Sequence, residues 1–304
     1  MQRVRTVYLG TSEFAAAVLR RLAESRHRPL LVVTPPDRPK GRGRRSGPPP
    51  TAVLAAELGV ELLRAENVNA EGVLERIRAV RPEALAVCAF GQIIREPLLS
   101  EWPLLNIHPS LLPRWRGAAP IERAIMAGDT RTGVSVMQLT AGLDAGPIAL
   151  REEQPIGSED DFESLSDKLS TLGGQMLVKA FDLQERGELH FEAQDDGEAT
   201  YAEKIDTAER RLDPVRPATE LARTVRALTP HVGAYLEAGK GNRLGVRRAR
   251  AVDVGVRQGE MKAEWGALLL GCGRGALRLE VVQPPGGKPM AADAYLRGHP
   301  VPVL

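Results

Sequence analysis

Over residues 1–190, short runs of consecutive apolar residues alternate with segments whose apolar positions recur at every third or fourth place. Uninterrupted apolar runs bounded by turn residues suit strands covered on both faces, and their alternation with helical periodicity predicts βαβ units on a mainly parallel sheet. The strands expected are Val4–Leu9, Leu30–Thr34, Ala84–Ala89, Leu104–Ile107, Gly133–Gln138 and Pro147–Glu152. The helices are Phe14–Leu22, Thr51–Leu58, Ala70–Val80 with Asn69 as N-cap, Pro120–Ala127, and a long one over Phe162–Glu185 that has Ser158 or Asp160 near its start and Gly187 after its end. Pro35 to Pro50 breaks this rhythm with six prolines and three glycines, a composition that opposes regular structure and marks a functional or mobile loop.

Beyond about Asp195 the period changes. Short alternating runs at Ala234–Glu237, Leu244–Val254, Ala267–Leu270 and Ala276–Val282 are separated by glycine-rich turns, and one helix, Thr219–Leu228, precedes them. That pattern reads as a small β-barrel or sandwich.

Composition narrows the class. At 304 residues, 43% hydrophobic and 26% charged, the chain has the make-up of a globular protein of about two domains. No apolar run approaches the ~18 residues that span a bilayer, the first residues lack the apolar core of a secretion signal, and Cys88 and Cys272 are too few for a disulfide framework. These features place the expectation in the cytoplasm.

The net charge of +2 conceals an asymmetry. Residues 205–304 carry 16 Lys and Arg against 10 Asp and Glu, whereas residues 1–204 carry 25 against 29. Within that acidic part, Arg38, Lys40, Arg42, Arg44 and Arg45 put five cations into eight residues. Two separate basic surfaces point to a polyanionic partner; taken one at a time, each is equally a solvated basic face.

The densest chemistry lies in Asn106-Ile107-His108-Pro109-Ser110-Leu111-Leu112-Pro113-Arg114-Trp115-Arg116-Gly117. Asn106 and His108 are two apart at the end of an apolar run, so in a strand both face the same way while Ile107 enters the core. The C-terminal ends of parallel strands are where such sheets bind ligands. A second segment, Gly142-Leu143-Asp144-Ala145-Gly146-Pro147, flanks one carboxylate with glycines that let it approach a ligand closely. A lone strand-end histidine is often structural and a lone Asp here could be a plain Asx-turn; together, Asn, His and Asp form a set suited to acyl transfer without a covalent intermediate. No Gly-x-Ser-x-Gly elbow, complete dinucleotide fingerprint or metal-ligand spacing is present, and His27, His190 and His299 are expected to lie far from carboxylate clusters.

The stretch Asn106–Ile121 closely resembles the signature of the methionyl-tRNA formyltransferases. The likeness continues in Gly10-Thr11-Ser12-Glu13-Phe14-Ala15, in Pro36-Asp37-Arg38-Pro39-Lys40-Gly41-Arg42-Gly43, in Gly142–Pro147, in Thr200-Tyr201-Ala202-Glu203-Lys204-Ile205 and in Gln283-Pro284-Pro285-Gly286-Gly287-Lys288-Pro289-Met290. The sequence departs from the family pattern at Ser12, Pro109, Ala145 and around residues 229–234, and none of these departures removes a catalytic group.

The resemblance implies an α/β protein: a Rossmann-like, doubly wound formyltransferase domain over 1–190, a linker over 191–208 and a C-terminal OB-like β-barrel domain over 209–304. It implies transfer of a formyl group from 10-formyltetrahydrofolate to the amino group of initiator methionyl-tRNA, by a monomer that uses no metal. Asn106, His108 and Asp144 correspond to the catalytic trio, Ser110, Leu111, Leu112 and Pro113 to the folate-contacting stretch, and Phe90, Gly91, Gln92 and Ile93 to the border of the pterin. Arg38, Lys40, Arg42, Arg44 and Arg45 correspond to an insertion that reaches the acceptor end of the tRNA. Two rival readings stay open on the sequence: a formyltransferase acting on an amino sugar, which would need neither the basic loop nor the barrel cations, and a non-catalytic RNA-binding module, which leaves the trio unexplained.

Overall fold

The first strand, β1 (Thr6–Gly10), is buried along its whole length because its alternate residues serve opposite faces of one sheet. Val7 and Leu9 join a core with Leu74, Ile77 and Leu98, while on the other face the Tyr8 hydroxyl donates to the Ala15 carbonyl at 2.6 Å. A strand so enclosed has no polar face to show, which is why it reads as an unbroken apolar run.

The computed structural model describes residues 3–40, 45–239, 241–264 and 266–304. After β1 come α1 (Glu13–Ala23), β2 (Leu31–Thr34), the short strands β3 (Arg38–Lys40) and β4 (Arg45–Gly47), α2 (Pro50–Leu58), β5 (Glu61–Arg64), α3 (Glu71–Ala79), β6 (Ala84–Cys88), α4 (Leu98–Glu101), β7 (Leu104–His108), β8 (Arg116–Gly117), α5 (Pro120–Ala127), β9 (Arg131–Gln138), β10 (Ile148–Pro155) and α6 (Phe162–Glu185). A seven-stranded sheet runs β10-β9-β7-β6-β1-β2-β5; the pairs from β7 through β5 are parallel, and β9 is antiparallel to β7. The chain builds outward from β1 to β5 and then returns to the other side of β1, so the order reverses between β1 and β6. At such a reversal the loops leaving the strands part and open a crevice. Here the loops are tied by the Thr11 hydroxyl, which donates to the Phe90 carbonyl at 2.6 Å.

Contacts divide the chain into two units, Met1–Gly117 with Thr132–Pro155 and Ser166–Tyr201, and Ala118–Arg131 with Ile156–Leu165 and Ala202–Leu304. The division is discontinuous. Residues 118–131 go with the C-terminal part because α5 is amphipathic and its Met126 packs against that unit's core. In the first unit, Gly173 and Gly174 let α6 press close to Ile107 and Arg21, where an added methyl would stand only 2.9 and 2.7 Å from those side chains.

The C-terminal unit contains β11 (Tyr201–Ala202, of which Ala202 belongs here), α7 (Ala218–Leu228), β12 (Ala234–Ala238), β13 (Asn242–Val252), β14 (Met261–Glu264), β15 (Ala267–Gly271), β16 (Ala276–Gln283), β17 (Met290–Ala291) and α8 (Ala292–Gly298). Six antiparallel strands form its sheet, in the order β12-β13-β16-β15-β14 with β17 on β16. Register shifts around Arg248 bend β13. Leu221, Val225 and Leu228 of α7 share one core with Leu244, Val246, Leu268, Leu277 and Leu279 of the sheet. The expected architecture, a doubly wound α/β domain followed by an antiparallel β domain, is therefore present.

Several local expectations are corrected. The Pro35–Pro50 segment is not devoid of regular structure: β3 and β4 pair as an antiparallel ribbon, with Pro39 opposite Ser46. A two-stranded ribbon leaves each strand a free edge, where a residue lacking an N–H is tolerated. Asn69 is not the cap of α3, a position taken by Ala70; its side chain instead donates to the Ile93 carbonyl at 2.9 Å and accepts from the Arg95 amide at 2.8 Å. α6 starts at Phe162, close to Ser158 and Asp160 as expected, and the cap itself is a reciprocal pair, in which the Ser164 amide donates to Asp161 Oδ1 at 2.9 Å and the Asp161 amide to Ser164 Oγ at 3.2 Å. The edge strand β5 and the short β14 show no apolar run in the sequence, because Glu61, Arg64, Lys262 and Glu264 interrupt them.

His27, expected to lie far from carboxylates, is instead beside two of them, because α6 brings Asp182 and Glu185 to it. Its Nε2 lies 3.0 Å from Asp182 Oδ1, and Glu185 is near enough to complete a possible metal triad. The residues do not fit a metal, however: Arg26 already meets Asp182 at 2.6 Å and Glu185 at 2.7 Å, and the other ring nitrogen accepts from the Val4 amide at 3.1 Å. Burial opposes the charged Asp182, yet the hydrogen bonds from His27 and Arg26 outweigh it and hold that carboxyl below the usual range.

Candidate active site

The strand β7 delivers Asn106 and His108 to the carboxyl end of the sheet, on the face they share with Leu104, while Ile107 points to the opposite face against Gly173 of α6. Both polar residues are nearly buried, at 8% and 5% exposure. Among the described residues the Asn106 side chain has no hydrogen-bond partner in the protein. Its amide atoms are not among the fully buried side-chain atoms that lack a partner, so they stay accessible to solvent or to a bound group.

His108 is fixed from one side. Its Nε2 is 2.8 Å from the Trp115 carbonyl, which can only accept, so Nε2 carries a proton. Its Nδ1 then faces Asp144 Oδ2 at 3.6 Å, longer than a hydrogen bond and close enough for charge to matter. Trp115 and Asp144 both hold left-handed backbone, with φ of 64° and 46°, a conformation that side chains rarely adopt without support.

That support is visible. The Trp115 amide donates to Thr200 Oγ1 at 2.9 Å and Arg114 stacks over the Trp115 ring at 4.4 Å. The Gly117 amide donates to Asp144 Oδ2 at 2.8 Å. Gly146 lies so close to β9 that a methyl group there would sit 1.8 Å from the Gln138 carbonyl, so the Asp loop rests directly on the strand backbone. Gln194 donates to the carbonyls of both Asp144 and Gly146, at 2.8 and 2.7 Å. Nothing in the local sequence marks Gln194, which is 50 residues from Asp144.

The other stretches singled out in the sequence have distinct surroundings. In Ser110–Pro113, the Ser110 hydroxyl is fully buried and donates to the Arg114 carbonyl at 2.6 Å, Leu112 is buried with its amide on Ser135 Oγ, and the Pro113 carbonyl accepts from the Thr200 amide. Leu111, Leu112, Pro113 and Arg114 also line a groove of about 530 Å³ with Arg151 and Glu198. In Phe90–Ile93, Phe90 is buried in the core, Gly91 has φ 77° and Ile93 is 70% exposed. Gln92 ties this loop to residues 65–68, donating to the Ala65 carbonyl and accepting from the Val68 amide. Arg38, Lys40 and Arg45 lie on the β3–β4 ribbon, while Arg42 and Arg44 lie outside the described residues.

The departures from the family pattern have local reasons at two places. Ser12 caps α1, its Oγ accepting from the Ala15 amide at 3.2 Å. In the C-terminal unit, His231 stacks on Phe162 at 3.6 Å and meets Glu122 at 2.9 Å. Nothing in the structure explains Pro109 or Ala145.

Comparison with known proteins accords with this arrangement. A family model described as formyl transferase matches residues 3–181, and one described as formyl transferase, C-terminal domain, matches residues 204–300. The methionyl-tRNA formyltransferase of Methylobacillus flagellatus is 42% identical over 301 residues, which cover 98% of this chain and 97% of that protein. That of Ectopseudomonas mendocina is 43% identical over 296 residues, 96% and 94% of the two chains. Among solved structures, HypX from Aquifex aeolicus in complex with tetrahydrofolic acid has a TM-score of 0.66 at 18% identity, covering 97% of this chain and 47% of that one, so the chain spans about half of HypX. The N-formyltransferase from Helicobacter canadensis, in complex with folinic acid and dTDP-3-aminofucose, has a TM-score of 0.67 at 13% identity and covers 91% and 98%. The structural likenesses carry the fold; the full-length sequence identity carries the family. The chain belongs to the methionyl-tRNA formyltransferase family.

Proposed function

We propose that this protein transfers the formyl group of 10-formyltetrahydrofolate directly to the amino group of methionine on initiator methionyl-tRNA, with Asn106, His108 and Asp144 as the catalytic residues. The neutral amine attacks the formyl carbon and the carbonyl oxygen becomes an oxyanion. The unpartnered Asn106 amide and Nδ1–H of a doubly protonated His108 hold that oxygen. Collapse breaks the bond from carbon to the folate nitrogen; the proton lost by the amine ends on that nitrogen, with Asp144 as the nearest base to relay it. The observation that carries this reading is the placing of His108, whose Nε2 is committed to the Trp115 carbonyl while Nδ1 faces the Asp144 carboxylate.

Donor and acceptor are assigned by the same reasoning. Ser110, Leu111, Leu112 and Pro113, with the stitched loop Phe90, Gly91, Gln92 and Ile93, border the folate, and a fixed loop at the topological reversal is the setting such a flat ligand needs. Arg38, Lys40, Arg42, Arg44 and Arg45 meet the acceptor end of the tRNA, and the basic C-terminal unit adds attraction for its phosphates. With no redox or metal chemistry called for, rate comes mainly from positioning two substrates and stabilising one oxyanion. The test is formyl transfer by Asn106→Ala, His108→Ala and Asp144→Asn variants, measured with folate and tRNA binding alongside.

A further inference from the structure

We infer that Gln194 is a positioning residue for formyl transfer, acting through Asp144. The inference rests on the catalytic reading of Asp144 given above. The Gln194 amide nitrogen donates to two carbonyls of the Asp loop, Asp144 at 2.8 Å and Gly146 at 2.7 Å, spanning the residue that holds left-handed backbone. Its oxygen is occupied in turn, accepting from Arg116 Nε at 3.0 Å. Arg116 is 3% exposed, and its other end donates to Asp196 Oδ1 at 2.8 Å, so the guanidinium is engaged at both ends.

The network closes on the catalytic pair from both sides. Arg116 stands between Trp115, whose carbonyl fixes His108, and Gly117, whose amide fixes the Asp144 carboxylate. Three consecutive residues thus set the imidazole, the carboxylate and, through Gln194, the loop that bears the carboxylate. Gln suits this place for a stoichiometric reason: two carbonyls require two donors while the guanidinium requires an acceptor, and a side-chain amide offers both. A glutamate of the same size would satisfy Arg116 better and would set its charge against the two carbonyls.

Freed from these bonds, the Asp144 backbone loses the support for its unfavourable φ, and the carboxylate shifts relative to His108 Nδ1 while every group that touches substrate is still present. Misplacement on the ångström scale costs up to about 10²-fold in turnover. Gln194→Ala and Gln194→Glu are therefore expected to lower kcat about 10- to 100-fold, leaving KM for folate and for methionyl-tRNA within about twofold. In an Asp144→Asn background neither change should lower kcat further, because the group being positioned is already disabled.

The experiment is this double-mutant cycle in steady-state formyl transfer, with thermal unfolding and tetrahydrofolate titration confirming that each variant is folded and binds. Wild-type kcat in Gln194→Glu would overturn the proposal, since packing and the bond to Arg116 are kept in that variant and only the donors are removed. Additive losses in the double variants would also overturn it. Wild-type turnover in Asp144→Asn alone would instead remove the catalytic reading, and the proposal with it; a slow Asp144→Asn beside a fast Gln194→Glu would remove the proposal only.

Discussion

His108 donates from Nε2 to the Trp115 carbonyl at 2.8 Å, and Trp115 reaches that position from a left-handed backbone. The ring is thereby held with Nδ1 on the side of Asp144 and on the strand face it shares with Asn106. On the proposed mechanism both side chains hold the oxyanion, so Asn106→Ala or His108→Ala is expected to lower turnover by on the order of 10² or more. Single-turnover rates check this, and dissociation constants for folate and tRNA should stay near those of the wild type.

Gly146→Ala tests the seat of the Asp loop. The added methyl group would stand 1.8 Å from the Gln138 carbonyl, so loop or strand must move. A loss of about 1–3 kcal/mol in stability is expected, together with a fall in kcat larger than any change in KM. Urea unfolding and steady-state kinetics measure the two effects separately.

The C-terminal unit has a pH-dependent clasp. Arg123 of α5 holds Glu209 through two hydrogen bonds, which keep the Glu209 carboxyl below its usual range against the opposing effect of burial. A carboxyl whose folded value is depressed contributes stability that is present above its unfolded value and is lost as pH falls through the folded one. Glu209→Gln should therefore be less stable than the wild type at pH 7, with the difference closing in acid. Denaturation of both proteins at pH 7 and near pH 3 checks the sign.

Neither thiol is poised for chemistry. Burial pushes the Cys88 thiol up to about 12 and the Cys272 thiol up to about 11. A thiol reagent at pH 8 should label neither in the folded protein within minutes and both after unfolding.

The basic segment of residues 38–45 is tested by salt. Neutralising Arg42, Arg44 and Arg45 together should weaken tRNA binding and reduce the slope of log affinity against log salt by roughly 0.7–0.9 for each phosphate that is no longer neutralised. An unchanged slope would mean that these residues do not touch phosphate.

Much of this was readable in the chain because it depends on period. Val7 and Leu9 in β1, and Asn106 with His108 in β7, are placed by the two-residue repeat of a strand, and the β-rich C-terminal part shows itself through short runs between glycines. What stayed hidden depends on bonds between distant residues. Gln194 is 50 residues from the Asp144 carbonyl it holds, and His27 is 155 from Asp182. The fixing of His108 was equally hidden, because a main-chain carbonyl has no signature in the sequence. Asn69 misled for a related reason: its local capping preference was overridden by bonds to residues 93 and 95.

The central claim is tested most directly by supplying 10-formyltetrahydrofolate with methionyl initiator tRNA, and in parallel with uncharged tRNA, free methionine and a nucleotide-linked amino sugar. The account predicts formylated methionine on the charged tRNA alone, and its loss in the His108→Ala variant. Transfer to the amino sugar in place of the charged tRNA, or full transfer by His108→Ala, would contradict it.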